Sequence, residues 1–237
     1  SSLMLAAHRC AHCLHSGGRS VLVHCSDGWD RTAQVCVLTQ LLLDPYYRTL
    51  RGLATLLDKD MVAFGHKAAE RLGFRPPGIA SAEWSPIWLQ LLDCIQQLVQ
   101  QFPSAFEYTP AALALIATHC YAGFVTTFRH NTQAELTADP AASRTTSVWH
   151  QLLVRHRHLT NPRYKPWPLT RGPLRPACTL QRLHVWSLHL PPARDLAAQQ
   201  IAEASWCDAA AADAAVASAL DPAAGGGGRS GRELSAH

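Results

Sequence analysis

The chain has 237 residues, of which 48% are apolar and 16% charged, and its net charge is +4. That length suits one domain, or a domain with a tail, and the apolar fraction is enough to fill a core. The low charge content excludes a charge-rich disordered chain, and the small positive balance does not point to a nucleic-acid partner. No apolar run approaches the roughly 18 residues of a membrane span. Eight Cys are scattered without a regular framework, and no secretory signal opens the chain. Both features favour a reduced, cytoplasmic setting with most thiols serving as small core residues. The abrupt passage from Ser1 into a helix-like stretch suggests a piece of a longer protein.

Taken in order, residues 3–15 read as a short helix stopped by Gly17 and Gly18. Val21-Leu22-Val23 reads as a short buried strand of an α/β sheet. Residues 25–31 form a polar loop, and helical spacing returns over 32–43, with Val35, Leu38 and Leu42 on one face. Asp44-Pro45 breaks that helix. Thr49 is a candidate N-cap for a helix running to about Lys59, and another helical stretch lies over 64–72. RPPG at 75–78 is a loop. Two further helices, over 86–101 and 110–122, each open on Pro. Beyond about residue 160 prolines dominate. An Ala-rich stretch over 193–224 could be helical, and Gly225–Gly228 with the polar end reads as disordered.

The chemistry concentrates in VLVHCSDGWDRT, Val21 to Thr32. A strand delivers Cys25 to the carboxyl edge of a sheet, where α/β folds bind ligands. Five residues then separate Cys25 from Arg31, enough for a loop to wrap one tetrahedral anion with inward-pointing backbone N–H groups. The next helix adds its N-terminal dipole. That field favours a thiolate on Cys25, a nucleophile suited to phosphorus. Arg31 supplies a planar fork for two phosphoryl oxygens. Thr32 can hydrogen-bond the sulfur as it leaves, and Asp30 can protonate the leaving oxygen and later activate water.

This loop resembles the signature of the myotubularin family, phosphatases that remove the 3-phosphate of phosphoinositides. The resemblance continues through LLLDPYYRT at 41–49, FGHKAAER at 64–71, QFPSAFEYT at 101–109 and SVWHQLL at 147–153, covering roughly residues 1–165. It implies an α/β, cysteine-dependent, tyrosine-phosphatase-like fold. The chain would supply the mostly helical C-terminal part of that fold, with a short central strand before the phosphate loop. It implies Cys25 as nucleophile, Arg31 as phosphate binder and Asp30 as general acid. Ser26, Asp27, Gly28 and Trp29 would complete the cradle. Lys67 and Arg71, four apart on one helix face, match the residues that hold the inositol ring's other phosphate; by themselves they would read as a solvated face. Met61, Leu53 and Ala68 depart from common family residues at packing positions. Upstream strands and pocket residues of the family's catalytic domain have no counterpart in this sequence. Residues 166–192 would be a Pro-rich irregular extension, and 193–237 a low-complexity tail.

Other residues carry weaker signals. Cys10 and Cys13, with His8, His12 and His15 nearby, make a C-x-x-C that lacks the second knuckle of a zinc site. His66 reads about equally as a hydrogen-bonded core histidine or as a functional one, and His24 as a residue that fixes the loop. Trp84, Trp88, Trp149, Trp167 and Trp186 read as core or interface anchors.

The expected function is a phosphoinositide 3-phosphatase acting on phosphatidylinositol 3-phosphate and the 3,5-bisphosphate through a cysteinyl-phosphate. No metal or cofactor is required, since Arg31 and the loop amides stabilise the charge. The setting would be a lipid surface, peripheral on endosomal-type membranes, with homo- or hetero-oligomers of the family as partners and no nucleic acid. Two alternatives stand beside it: a catalytically inactive fragment or adaptor pairing with an active relative, and a protein tyrosine or dual-specificity phosphatase.

Overall fold

The computed structural model describes residues 2–74 and 83–186. The loop expected at 75–78, the Ala-rich helix and the Gly-rich end lie outside the described residues. What is described is helical: α1 (Ser2–His15), α2 (Arg31–Leu43), α3 (Leu50–Leu57), α4 (Ala68–Leu72), α5 (Ile87–Gln101), α6 (Pro110–Ala122), α7 (Gln133–Ala138), α8 (Val148–Val154) and α9 (His156–Leu159).

The local signals explain most of the ends. Asp44 accepts from the Tyr46 amide at 2.8 Å and opens a 3-10 turn over Pro45–Arg48. Thr49 Oγ1 accepts from the Gly52 amide at 2.9 Å, the N-cap bond expected for α3. Gly52 is fixed by close approach, because a Cβ there would lie 1.9 Å from the Tyr46 carbonyl oxygen. Pro110 sits at the start of α6, where its missing N–H costs nothing. The helix from Thr49 ends earlier than the spacing implies. After Leu57 it widens into a π-helical turn over Asp58–Ala63. The stretch 64–72 is helical only in α4, because Gly65 takes a φ of 86° and turns the chain before it.

α2 and α5 lie at the centre and are buried on most sides. Met4, Ala7 and Ala11 form one face of α1, and α1 packs along α2. Gln34 Nε2 donates to the Ile87 carbonyl at 2.8 Å, tying α2 to the start of α5. α6 packs on α5, and α8 on α3 and α6. Trp88 and Phe128 meet edge to face at 4.9 Å, and Phe128 and Trp149 at 6.4 Å. Trp149 Nε1 donates to Asp58 Oδ1 at 2.7 Å, so the π-helical turn is pinned to α8. Leu53, Met61 and Ala68 are all buried, as packing positions should be. Trp84 is not a core anchor, being 62% exposed. Arg48 is fully buried and stacks 5.7 Å from the Trp167 ring centre.

The proline-rich segment after residue 160 is docked on the core. Gln97 on α5 donates to the His184 carbonyl at 2.8 Å and accepts its amide at 3.0 Å. Gln101, one turn on, makes the same pair with Ala177, at 3.1 and 2.8 Å. The Leu174 amide donates to the Leu42 carbonyl at 2.9 Å.

The expected strand at Val21–Val23 is a correction. Among the described residues there is no β-ladder, only an isolated bridge between Tyr108 and Thr160. Residues 18–25 run without regular hydrogen bonds, and Leu22 is 89% exposed. The mostly helical part of the expected fold is present, and no sheet forms among the described residues. The reason is physical: a strand closes its hydrogen bonds only with a neighbour, so an apolar β-branched run alone does not make one.

Candidate active site

The loop begins where the unpaired segment reaches Cys25 and ends where α2 starts at Arg31. Gly28 makes the turn, with a φ of 92° that an L side chain would strain. This turn brings the Gly28 amide to 3.2 Å from Cys25 Sγ, to which it donates. Cys25 is half-buried, and its thiol is lowered from 9.0 to about 7. The largest cause is the Thr32 hydroxyl. Burial opposes it, and the amides of Gly28, Thr32 and Asp27 add to it. Thr32 Oγ1 is itself buried and closes no well-aligned hydrogen bond, so its dipole acts on the sulfur at looser geometry. At neutral pH a large share of Cys25 is therefore thiolate.

Around this sulfur the expected residues divide into two groups. Ser26, Asp27 and Arg31 are exposed. Ser26 Oγ donates to Asp27 Oδ2 at 3.0 Å, and Arg31 Nη2 reaches Ser26 Oγ at 3.4 Å. The Arg31 guanidinium has no carboxylate partner among the described residues and is available to an anion. His24 is exposed, with no hydrogen-bond partner among the described residues.

The second group is braced against the helices. Asp30 stands at the N-cap position of α2, yet its side chain makes no cap hydrogen bond. It turns instead to α4. Arg71 donates to Asp30 Oδ2 through Nε at 3.0 Å and Nη2 at 2.9 Å. His66 Nδ1 lies 3.0 Å from Asp30 Oδ1. Burial alone would raise the Asp30 carboxyl, but the bonds from His66 and Arg71 outweigh it and hold it below the usual carboxylate range. Arg71 also pairs with Glu83. Lys67 lies 4.3 Å over the Trp29 ring, within 3.7 Å of Glu70 Oε2. Lys67 and Arg71 thus stand beside the loop, and both are engaged by protein groups.

His66 and Glu83 entered the site from outside the motif. The Gly-His-Lys run before α4 held the only signal for His66, and nothing local marked Glu83. Among the described residues no three His, Cys, Asp or Glu side chains converge as a metal site would need. No helix of the described residues is long and apolar enough to cross a membrane.

The arrangement combines a lowered thiol, the Gly28 amide donating to it, a helix N-terminus and, six residues on, a guanidinium with no carboxylate partner among the described residues. Groups of these kinds can hold an anion beside a nucleophile. The family model described as the myotubularin-like phosphatase domain matches residues 1–137, and the chain belongs to that family. It is 38% identical over 184 residues to the phosphatidylinositol-3,5-bisphosphate 3-phosphatase MTMR2 of Bos taurus, covering 78% of this chain and 28% of that protein. It is 40% identical over 192 residues to the phosphatidylinositol-3,5-bisphosphate 3-phosphatase MTMR4 of Mus musculus, covering 81% and 16%. Against myotubularin of Rattus norvegicus it is 40% identical over 184 residues, covering 78% and 30%. The chain thus spans less than a third of the length of these curated relatives.

Proposed function

We propose that this chain carries the catalytic loop of a phosphoinositide 3-phosphatase, acting on phosphatidylinositol 3-phosphate and the 3,5-bisphosphate. The observation that carries the reading is the Cys25 thiol accepting the Gly28 amide at 3.2 Å, at a loop that also presents Arg31. In this reading the Cys25 thiolate attacks phosphorus, an S–P bond forms and the P–O bond to inositol breaks. Arg31 and the loop amides hold the phosphoryl oxygens, and Asp30 gives its proton to the departing inositol oxygen. Water then attacks phosphorus, its proton passes to Asp30, and sulfur leaves as thiolate beside the Thr32 hydroxyl. Ser26, Asp27, Gly28 and Trp29 shape the cradle, and His24 flanks it.

Asp30 must hold a proton before it can give one, and the free site keeps it ionised. A substrate phosphate that draws Arg71 off Oδ2 removes the nearest cation from that carboxyl and lets it take up a proton. Lys67 and Arg71 would then bind the headgroup's second phosphate in exchange for their present partners. The domain reading places residues 1–165 in the C-terminal part of the catalytic domain. The corresponding setting is a membrane surface of endosomal type, reached in complexes with other family members.

The test is phosphate release from short-chain phosphatidylinositol 3-phosphate, with Cys25→Ser run beside it. Release that Cys25→Ser reduces to background is the expected result; release that survives the substitution overturns the mechanism. A non-catalytic adaptor is the second reading, favoured by one feature: Arg71 is already paired with both Asp30 and Glu83. Folded protein that binds the lipid without releasing phosphate would leave a catalytically inactive fragment or an adaptor. Faster cleavage of phosphotyrosine peptides than of the lipid would point to a protein phosphatase.

A further inference from the structure

Between the phosphate loop and the aromatic core lies a histidine that the mechanism above leaves unused. His66 is 2% exposed. Its Nδ1 lies 3.0 Å from the Trp29 carbonyl oxygen and 3.0 Å from Asp30 Oδ1. Both neighbours are acceptors, so Nδ1 carries the proton whatever the charge of the ring. Nε2 is buried and has no partner. A proton there would be an unmatched buried donor, so the neutral ring is assigned as the Nδ1–H tautomer. The other edge meets Trp88, ring centres 6.0 Å apart at 74°. Trp88 is fully buried, so the imidazole is held by the core on one side and holds the loop on the other.

The loop needs such a hold. An Asp at an N-cap position usually turns back onto the first helical amides. Asp30 does not, and its backbone stands at φ −106°, ψ −89°. Two groups keep its carboxylate turned toward α4. Arg71 takes Oδ2 and is itself shared with Glu83 at the surface. His66 bonds the adjoining Trp29 carbonyl and stands 3.0 Å from Oδ1, which itself closes no well-aligned hydrogen bond. The remaining charges at this corner are Lys67, over the Trp29 ring, and Glu70 beside it.

We propose that His66 is the positioning residue of the acid: its Nδ1–H, bonded to the Trp29 carbonyl and standing 3.0 Å from Asp30 Oδ1, holds that end of the carboxyl so that Oδ2 is the oxygen free to exchange Arg71 for the transferable proton. The role rests on Asp30 acting as the acid proposed above. His66 transfers no proton itself. Its contribution is orientation, and it is felt only where the leaving group needs protonating.

That restriction supplies a readout that a purely structural histidine would not move. An inositol oxygen leaves poorly without a proton, whereas 4-nitrophenolate leaves well without one. His66→Leu should lower kcat on short-chain phosphatidylinositol 3-phosphate by about 100-fold, the usual scale of a general acid, with little change in KM and a far smaller loss on 4-nitrophenyl phosphate. His66→Asn places an amide N–H near the Nδ1 position and should recover most of the lipid rate. His66→Gln, which mimics Nε2, should not. Equal losses on both substrates, rescue by Gln in place of Asn, or an undiminished lipid rate in His66→Leu would each overturn the proposal.

Nitrogen-15 NMR of the histidine rings decides the matter separately from turnover. The expected signal is a slowly exchanging proton on His66 Nδ1, bonded to the Trp29 carbonyl, whose chemical shift moves when the adjacent carboxylate is removed in Asp30→Ala. A proton resident on Nε2, or one indifferent to Asp30→Ala, sinks the positioning role. A folded wild-type chain that hydrolyses neither substrate sinks catalysis by this chain alone, and the NMR result still stands for or against His66.

Discussion

Two apolar stretches meet opposite environments in this chain. Ile87 to Val99 of α5 is buried on nearly every side, with Trp88, Leu91, Leu92 and Ile95 at or close to zero exposure. Val21 to Val23 is equally apolar, yet Leu22 is 89% exposed. The helix closes its backbone hydrogen bonds internally and needs only a packing face. The extended segment has nothing to pair with among the described residues. The consequence reaches Cys25, which is joined on one side to this uncovered segment and on the other to a loop anchored in the core. Asp30, His66 and Trp88 form that anchor, and α2 continues it. The nucleophile's position therefore rests on its C-terminal neighbours, the loop and α2, more than on the extended segment N-terminal to it.

The contrast can be broken first at Trp88. Trp88→Ala removes a fully buried ring from between His66 and Phe128 and should cost about 3–5 kcal/mol in denaturant unfolding. A loss below about 1 kcal/mol would mean the helical core does not hold the loop as described.

The anchor itself is tested through acid. The Asp30 carboxyl lies below its ordinary 3.8 in the folded chain, so the unfolded chain binds its proton first as pH falls. The stabilisation is thus complete above that value and is lost as pH drops through the lower folded one. Asp30→Asn should cost roughly 1–3 kcal/mol at neutral pH, and the gap should close in strong acid. A gap independent of pH would show that the carboxylate's pairing is not its source.

A smaller effect is expected at Thr32. Thr32→Ala removes the largest influence lowering the Cys25 thiol, so the midpoint of its alkylation by iodoacetamide should move up from about 7 toward 9.0. An unmoved midpoint would leave the amides as the whole cause. The smallest effect belongs to the other side of the comparison. Leu22→Ser should change stability by no more than about 0.5 kcal/mol, because an exposed side chain loses no burial. A large loss would show that the segment is packed after all.

Much of the site was legible because it is local. Cys25, Arg31 and Thr32 lie within one turn of chain, so their spacing alone implied the cradle, the helix dipole and the lowered thiol. The α5 and α6 helices were legible from periodicity and Pro, and the Thr49 cap from its residue type. The engagement of Arg71 was not legible, since a pair 41 residues apart leaves no mark in spacing. Lys67 and Arg71 were found only through family resemblance, and that resemblance said nothing of Glu83. The docking of the proline-rich segment was hidden for the same reason: Gln97 and Gln101 read as ordinary polar positions of a helix, yet their amides bind backbone 87 and 76 residues away.

By itself the sequence determined where helices start and stop and which loop can hold an anion, because caps, periodicity and motif spacing act over a few residues. Only the tertiary structure decided that Val21–Val23 finds no strand partner among the described residues, that Asp30 sits between His66 and Arg71, and that the buried His66 and Trp88 link the core to the loop. Each of these depends on the groups brought alongside from distant parts of the chain, since strand pairing, ion pairing and burial are properties of neighbours in space.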